Sequence, residues 1–216
     1  GPASVLLKQA MGLLMLAVAA FFIGLSVSSA LQRPPDPPSA AYWWVVALFV
    51  LVACAWIALR TWRITGSVRT RSVVLAAAAA VGLVAVLLAR QFTSEGPIHW
   101  TYYTPQRFAE AAAAGEVVVV DFTAEWCLNC RALESGVLHT DDVVAALAQE
   151  GVVPMRVDLT GDNPDGQAKL AELEWVGIPL LAVFGPGLGY DRPLMYDTYT
   201  PQVVIDAVRR ARSGDG

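Results

Sequence analysis

Residues 119–130 read VVDFTAEWCLNC, and this stretch decides the fold of the second half of the chain. Its first residues belong to the run 117–122, which is continuously apolar and β-branched, as is typical of a strand buried on both faces. Its last residues, Cys127 and Cys130, have Cys-x-x-Cys spacing, which places two sulfur atoms within one helical turn. We therefore predict a buried strand that leads into a helix over 127–135, opened by the cysteine pair.

The sequence around this stretch alternates between strand and helix patterns. Thr104-Pro105 and Thr200-Pro201 each combine an N-cap residue with a proline at the first helical position. The predicted strands are 98–102, 117–122, 152–158, 180–184 and a short one near 194–196, and the predicted helices are 105–114, 127–135, 141–149, 167–173 and 201–212. Residues 97–216 are thus predicted to form one α/β domain, a mixed sheet flanked by helices.

The spacing of the cysteines favours redox chemistry. At the start of a helix, unpaired N–H groups stabilise a thiolate, so Cys127 is predicted to be the more exposed, attacking sulfur and Cys130 the resolving one. A structural zinc site needs four ligands, and this half adds only the distant His99 and His139, which are interpreted as structural residues. A purely structural disulfide is the other alternative, but closing so short a loop contributes little stability.

The first half of the chain is predicted to lie in a membrane. The chain is 56% hydrophobic and only 16% charged, against about 25% charged in soluble domains. Three uncharged apolar runs occur at 11–30, 40–59 and 72–89, each long enough to cross the roughly 30 Å core of a bilayer. We therefore predict a membrane region, residues 1–95, with helices at about 10–30, 41–59 and 72–89.

The distribution of charged residues between the loops predicts the orientation of the helices in the membrane. Residues 60–71 carry four arginines and no acid, which is typical of a cytoplasmic loop, whereas the Pro-rich connection 32–38 balances Arg33 against Asp36. Three crossings then place residues 97–216 outside, where disulfides can persist. Residues 96–216 hold seventeen acids against eight Lys and Arg, which argues against nucleic acid as a partner.

The motifs resemble a known family. Residues 119–130, together with Gly177-Ile178-Pro179 before an apolar strand, look like the active-site segment and cis-proline loop of the thioredoxin superfamily. More narrowly, the chain resembles the last transmembrane helices and the periplasmic thioredoxin-like domain of the thiol:disulfide interchange protein DsbD family. This narrower resemblance rests on DFTA at 121–124, Glu134, DLT at 158–160 and the preceding apolar runs.

The resemblance implies a function. In this family, the domain takes electrons from a cysteine pair in the membrane domain and passes them to periplasmic disulfide proteins, without a metal or other cofactor. It implies that Cys127 is the nucleophile, Cys130 the resolving thiol, Asp121 the buried acid beneath the pair and Glu134 a second acid. A carboxylate near a nascent thiolate raises the thiol pKa, and an acid near the resolving sulfur can relay its proton, which suits a protein-disulfide reductase.

Three further residues are expected to meet the partner protein. Trp126 is expected to cover the sulfurs, and Pro179, if cis, would place the Ile178 backbone where a partner chain can pair with it. Arg131 is interpreted as a surface cation. The expected location is the bacterial inner membrane with the domain in the periplasm, and the partners could include proteins of cytochrome c biogenesis, disulfide isomerases or copper-tolerance proteins.

One feature departs from the family pattern. The membrane region holds a single cysteine, Cys54, which cannot form an intramolecular disulfide and is interpreted as a buried small hydrophobe. The required membrane dithiol must then lie in missing upstream spans or in a separate subunit. Because the chain begins Gly1-Pro2 without Met, we expect it to be part of a longer protein. The alternative functions are a periplasmic disulfide oxidase or isomerase and a Cu(I)-handling Cys-x-x-Cys module.

Overall fold

The computed structural model describes residues 2–31, 39–94 and 96–213. The chain divides into two compact units. One contains residues 39–94 and nearly all of the first helix, and the other contains the chain from Gly96 onward.

The first unit consists of three long helices, α1 (Pro2–Leu31), α2 (Tyr42–Ile64) and α3 (Val68–Thr93). The segments Lys8–Leu31, Tyr42–Ile64 and Val68–Thr93 are long and apolar enough to cross a membrane. The helices are longer than predicted because the prediction counted only uncharged apolar residues. Charged residues that flank these runs, such as Arg60 and Arg69, are helical as well. The predicted Pro-rich connection, residues 32–38, lies outside the described residues.

The connection between α2 and α3 is held by its own side chains. The Ser67 hydroxyl caps α3 by accepting a hydrogen bond from the Thr70 N–H. Arg71 donates from Nε to the Thr65 carbonyl at 2.6 Å and from Nη2 to the Trp62 carbonyl at 2.9 Å. These bonds satisfy carbonyls at the end of α2 that have no partner within the helix.

The second unit alternates strands and helices. Its strands are β1 (Thr101–Tyr102), β2 (Val117–Thr123), β3 (Val152–Asp158), β4 (Leu180–Gly185) and β5 (Gly189–Tyr196). Its helices are α4 (Pro105–Ala113), α5 (Leu128–Leu133), α6 (Asp141–Leu147), α7 (Pro164–Glu172) and α8 (Pro201–Ser213), with a π-helical turn at Glu134–Leu138. As predicted, the Thr104 hydroxyl caps α4 by accepting from the Arg107 N–H.

The five strands form one mixed sheet in the order β1-β3-β2-β4-β5. β1 and β2 each pair with β3 in parallel, whereas β4 is antiparallel to both β2 and β5. The predicted architecture, an α/β domain with a mixed sheet flanked by helices and with three long apolar helices before it in the chain, is confirmed. Because β2 is the central strand, the segment that follows it lies in the middle of the sheet, at the end where the parallel strands β1, β2 and β3 finish.

Side chains on the two faces of β2 enter separate cores. Val117 and Val119 pack on the α6 and α8 side, and Val118, Val120 and Phe122 pack on the side covered by α4 and α7. All seven residues of β2 are buried, which explains its continuous apolar run.

Several predicted boundaries were wrong. β1 spans only Thr101–Tyr102 instead of 98–102, because only these two residues pair with β3, and α6 ends at Leu147 instead of residue 149. The helix predicted over 127–135 ends at Leu133 and continues as the π turn. α7 begins at Pro164, because the Asn163 side chain accepts from the Gly166 N–H and starts the helix earlier than predicted. β5 spans Gly189–Tyr196 rather than three residues, since pairing with β4 orders a segment whose composition resembles a turn.

Candidate active site

The cysteine pair lies between the end of β2 and the start of α5. Cys127 and Cys130 form a disulfide with an S–S distance of 2.02 Å. Cys127 occupies the N-cap position of α5, and its Sγ accepts a hydrogen bond from the Cys130 N–H at 3.2 Å. The sulfur of Cys127 thus takes the role of an N-cap acceptor, a position that favours a thiolate once the disulfide is reduced.

Both cysteines are almost fully buried. Cys127 is 6% exposed and Cys130 is 4% exposed, so the predicted attacking cysteine is only slightly more exposed than the resolving one. Ala124 and Ile178 pack against the pair and account for its burial. The peptide bond between Ile178 and Pro179 is cis.

Exposed apolar side chains and a groove border the pair. Trp126, Leu128 and Val176 are 53%, 83% and 97% exposed, and the covering of the sulfurs by Trp126 stays a prediction. A groove of about 490 Å³ is lined by residues of α5, the loop 175–179 and residues 197–198, with Asn129, Ile178 and Pro179 among them. The site therefore presents an apolar border and an open groove next to a covered disulfide.

Asp121 is a buried acid on β2. It is 4% exposed, and its direct neighbours across the sheet are Arg156 on β3 and Leu181 on β4. Burial raises the pKa of Asp121 to about 7, and the charge of Glu134 adds to this effect. The Arg156 guanidinium, with Nη2 at 3.7 Å from Oδ2, acts in the opposite direction. Asp121 can therefore gain or lose a proton near neutral pH.

Glu134 is a buried acid with several cationic neighbours. It follows Cys130 by four residues, which in a helix makes the two side chains neighbours. Its Oε1 accepts a hydrogen bond from Arg156 Nη2 at 2.5 Å, and its Oε2 accepts one from Arg131 Nη1 at 3.3 Å. Burial alone would raise the pKa of Glu134, but the two arginines hold this pKa below its ordinary value.

Arg156 is the member of this cluster that sequence reasoning missed. It is the one basic residue in the strand Val152–Asp158 and contacts both predicted acids. Its guanidinium also lies over the Trp100 ring, 4.5 Å from the ring centroid. The signal was present in the sequence, since an arginine within a largely apolar strand needs a charged partner.

Two other residues have contacts that their sequence interpretation did not predict. His139, interpreted as structural, has Nε2 at 3.6 Å from Glu134 Oε1, and burial lowers the pKa of His139. Arg131, interpreted as a surface cation, forms ion pairs with Glu125 and Glu134. The helical segment after the cysteines thus carries Glu134, which contacts Arg156 of β3 as well as these two residues.

The third cysteine of the chain lies in the first unit. Cys54, in α2, is a buried free thiol. Among residues 2–31, 39–94 and 96–213, no group of three or more His, Cys, Asp or Glu side chains is placed to hold a metal ion.

Comparison with known proteins identifies the second unit. Residues 99–186 match the family model described as thioredoxin-like. A stretch of 81 residues, 38% of this chain, is 38% identical to the thiol:disulfide interchange protein DsbD 2 of Pseudomonas aeruginosa. A stretch of 76 residues, 35% of this chain, is 36% identical to DsbD of Klebsiella pneumoniae. The matched segments span only 14% and 12% of these two relatives.

Solved structures were compared as well. The oxidised C-terminal domain of DsbD from Neisseria meningitidis is 24% identical, with a TM-score of 0.40 over 53% of this chain and 100% of that chain. A thioredoxin from Thermus thermophilus is also 24% identical, with a TM-score of 0.42 over 53% of this chain and 86% of that one. The family model and the curated relatives confirm the resemblance predicted from the motifs. Residues 99–186 therefore match a thioredoxin-like domain, and this part of the chain is similar in sequence to the DsbD thiol:disulfide interchange proteins.

Proposed function

We propose that this chain is a membrane-anchored protein-disulfide reductase that passes electrons from a membrane dithiol to periplasmic disulfide proteins. The observation that carries the proposal is the Cys127–Cys130 disulfide at the start of α5, in a domain that also holds two buried acids, Asp121 and Glu134. The similarity to DsbD supports the same chemistry, and the three apolar helices support the anchor.

The exchange reaction balances with the two cysteines alone. The Cys127 thiolate of the reduced protein attacks a partner disulfide, forms a mixed disulfide and releases one partner sulfur as a thiolate, which takes up a proton. Cys130 then loses its proton and attacks Cys127 Sγ, so that the intramolecular disulfide forms and the second partner sulfur leaves. The partner gains two electrons and two protons.

The acids support the reducing direction. A carboxylate close to a nascent thiolate raises the pKa of the thiol, and an oxidant depends on a stabilised thiolate. The resemblance to the DsbD family assigns Asp121 as the acid that takes up the proton lost by Cys130, and the raised pKa of Asp121 suits this role. Both properties favour a dithiol that gives up its electrons to a partner.

The electrons must come from another dithiol. Cys54 is the sole cysteine in residues 1–95, and one thiol cannot cycle through an intramolecular disulfide. We assign this role to a membrane domain that carries its own cysteine pair, either upstream in a longer chain or in a separate subunit. The periplasmic side is favoured for the domain because four arginines cluster in residues 60–71.

The test is the reduction potential of the Cys127–Cys130 pair. The full chain in detergent would be equilibrated against a defined thiol–disulfide buffer, and the reduced fraction would be read by alkylation and mass spectrometry. A reductase should give about −200 to −270 mV, the range of glutaredoxins and thioredoxin, whereas about −120 mV, the potential of a strong oxidant, would reverse the proposed electron flow. The Cys54→Ser variant is the matched control, since its value should equal that of the parent chain.

A further inference from the structure

The loop after β3 contacts the turn that carries the cysteine pair. The Thr160 hydroxyl oxygen accepts a hydrogen bond from the Glu125 N–H at 2.8 Å, across 35 residues of sequence. Glu125 lies two residues before Cys127, in a turn that the Cys127 N–H closes by donating to the Ala124 carbonyl at 3.0 Å. Thr160 therefore holds the backbone of the turn from which the first cysteine extends.

Thr160 is itself held in a buried network of hydrogen bonds. It is 9% exposed, and its N–H donates to Asp158 Oδ1 at 2.8 Å. The Thr160 hydroxyl also forms a hydrogen bond with the Asp158 side chain, which opposes the rise in the pKa of Asp158 that burial causes. Because a carboxylate can only accept hydrogen bonds, the hydroxyl proton points to Asp158, and a lone pair of the oxygen is left for the Glu125 N–H.

The rest of the loop fixes this network to the domain. The Asn163 side chain caps α7 with Oδ1, and its Nδ2 donates to the Asp158 carbonyl at 2.9 Å. The Leu159 N–H donates to the Thr123 carbonyl at the end of β2 at 2.8 Å. Buried hydrogen-bonded groups resist movement, since each broken bond leaves an unpaired polar atom. Thr160 is thus a rigid point against which the turn before the cysteines can be fixed.

The chemistry of Cys127 depends on where this turn places its sulfur. Cys127 has an extended backbone, with φ −88° and ψ 98°, and its Sγ accepts from the Cys130 N–H as the N-cap of α5. A thiolate gains this stabilisation only while the sulfur stays within hydrogen-bond distance of the N–H. The Glu125 carboxylate pairs with Arg131 of α5, but an ion pair between side chains leaves the backbone of the turn able to rotate.

We propose that Thr160 is a positioning residue for Cys127: by accepting from the Glu125 N–H, its hydroxyl fixes the turn 124–127 and keeps the Cys127 sulfur at the N-terminus of α5. The role rests on the proposed exchange reaction, in which the Cys127 thiolate attacks the partner disulfide. Without the hydroxyl, the turn loosens, the sulfur spends less time at the helix end, and less thiolate is present at a given pH.

Thr160→Val tests this role, because valine has nearly the same shape but no hydroxyl. The full chain in detergent is reduced, and the rate at which iodoacetamide alkylates Cys127 is measured as a function of pH by tandem mass spectrometry, which distinguishes Cys127 from Cys130. In Thr160→Val, the pH midpoint of alkylation should rise by about 0.5 to 1 pH unit, the shift equivalent to one ordinary hydrogen bond. Thr160→Ser keeps the hydroxyl and should restore most of the parent midpoint.

Tyr190→Phe is the matched control. The Tyr190 hydroxyl donates to the Glu116 carbonyl at 2.7 Å, just before the start of β2 and thus at the opposite end of this strand from the cysteine pair. The variant also removes one hydroxyl hydrogen bond from the domain, and its alkylation midpoint should equal that of the parent chain. An equal shift in Tyr190→Phe and Thr160→Val would show general loosening of the domain and overturn the proposal. An unchanged midpoint in folded Thr160→Val would overturn it as well.

The hydrogen bond itself can be measured without a substitution. Amide hydrogen exchange of the oxidised parent chain, followed by NMR in detergent micelles, should show that the Glu125 N–H is protected. If Thr160→Val does not fold, Thr160→Ala and this exchange measurement decide the matter, and exchange of the Glu125 N–H at the rate of an unstructured amide overturns the proposal. Neither measurement transfers electrons to a partner, so the role of Thr160 and the proposed function fail on different results.

Discussion

The Cys130 N–H donates a hydrogen bond to Cys127 Sγ at 3.2 Å, so the second cysteine of the pair supports the first as the acceptor at the start of α5. When the disulfide is reduced, the same N–H can stabilise negative charge on Cys127. Cys130 has no equivalent position, since it lies inside the first turn of the helix.

This asymmetry predicts which single-cysteine variant forms a stable mixed disulfide with a partner protein. Cys130→Ser should accumulate mixed disulfides through Cys127, because the resolving thiol is absent, whereas Cys127→Ser should reduce disulfides no faster than background. Non-reducing electrophoresis of the full chain from cells, followed by mass spectrometry, measures the trapped complexes. Equal trapping by Cys127→Ser would contradict the assignment, and Cys54→Ser serves as the control with parent behaviour.

Asp121 makes stability depend on pH. Its pKa is raised from 3.8 to about 7, so the folded chain binds this proton more tightly than the unfolded chain does. The folded state therefore loses stability as pH rises from about 4 to about 7, by at most about 4 kcal/mol at 1.36 kcal/mol per unit.

The comparison with Asp121→Asn isolates this effect. The variant lacks the titrating group, so its stability relative to the parent chain should increase steadily over the same pH interval. Thermal unfolding followed by tryptophan fluorescence, at matched pH values in one detergent, measures the difference. A constant difference between the two proteins from pH 4 to pH 7 would show that Asp121 keeps an ordinary pKa.

Val176 is expected to contact protein partners. It is 97% exposed and lies in the loop that lines the groove beside the disulfide. Burying a valine against a partner contributes roughly 1.5–3 kcal/mol, so Val176→Ser should lower kcat/KM for a protein disulfide by about tenfold or more. Reduction of a small aromatic disulfide by the same variant is the internal control and should keep its rate. Equal losses on both substrates would place the effect in the chemistry instead of in binding.

The arginines at 60–71 are expected to set the orientation of the membrane helices. Alkaline phosphatase, which is active only outside the cytoplasm, should be active when fused after residue 94 and inactive when fused after residue 66. Changing Arg60, Arg63, Arg69 and Arg71 to Gln should reduce the difference in phosphatase activity between the two fusions, because a positively charged loop stays on the cytoplasmic side. Activity at residue 66 in the parent chain would reverse the proposed topology.

Local rules predicted the central elements well. β2 was recognisable because a strand buried on both faces leaves a continuous apolar run, and α4 was recognisable because Thr104 and Pro105 are start signals that act within a few residues. The fold class and the cysteine helix followed from these local patterns. The same is true of the predicted membrane helices, whose length exceeds what a soluble core requires.

The charged cluster depends on distant residues and was only partly predictable. Glu134 and Arg156 are 22 residues apart in the sequence but form a hydrogen bond in the structure. The parallel pairing of β2 with β3 and the π turn after α5 bring them together. The hydrophobic periodicity of the sequence contains no signal for a contact between such distant residues. The length of β5 was missed for a related reason, because its residues are ordered by β4 rather than by their own propensity.

The π turn at Glu134–Leu138 also limits how this segment can be exchanged between proteins. In it, the His139 N–H donates to the Glu134 carbonyl at 2.9 Å, five residues back, where an α-helix would bond four residues back. Deleting one residue from 135–137 would bring these two bonded residues to the four-residue spacing of an α-helix and remove the wider turn that begins at Glu134. A chimera that grafts this redox centre onto another thioredoxin-like scaffold must therefore transfer residues 127–139 as one block of unchanged length.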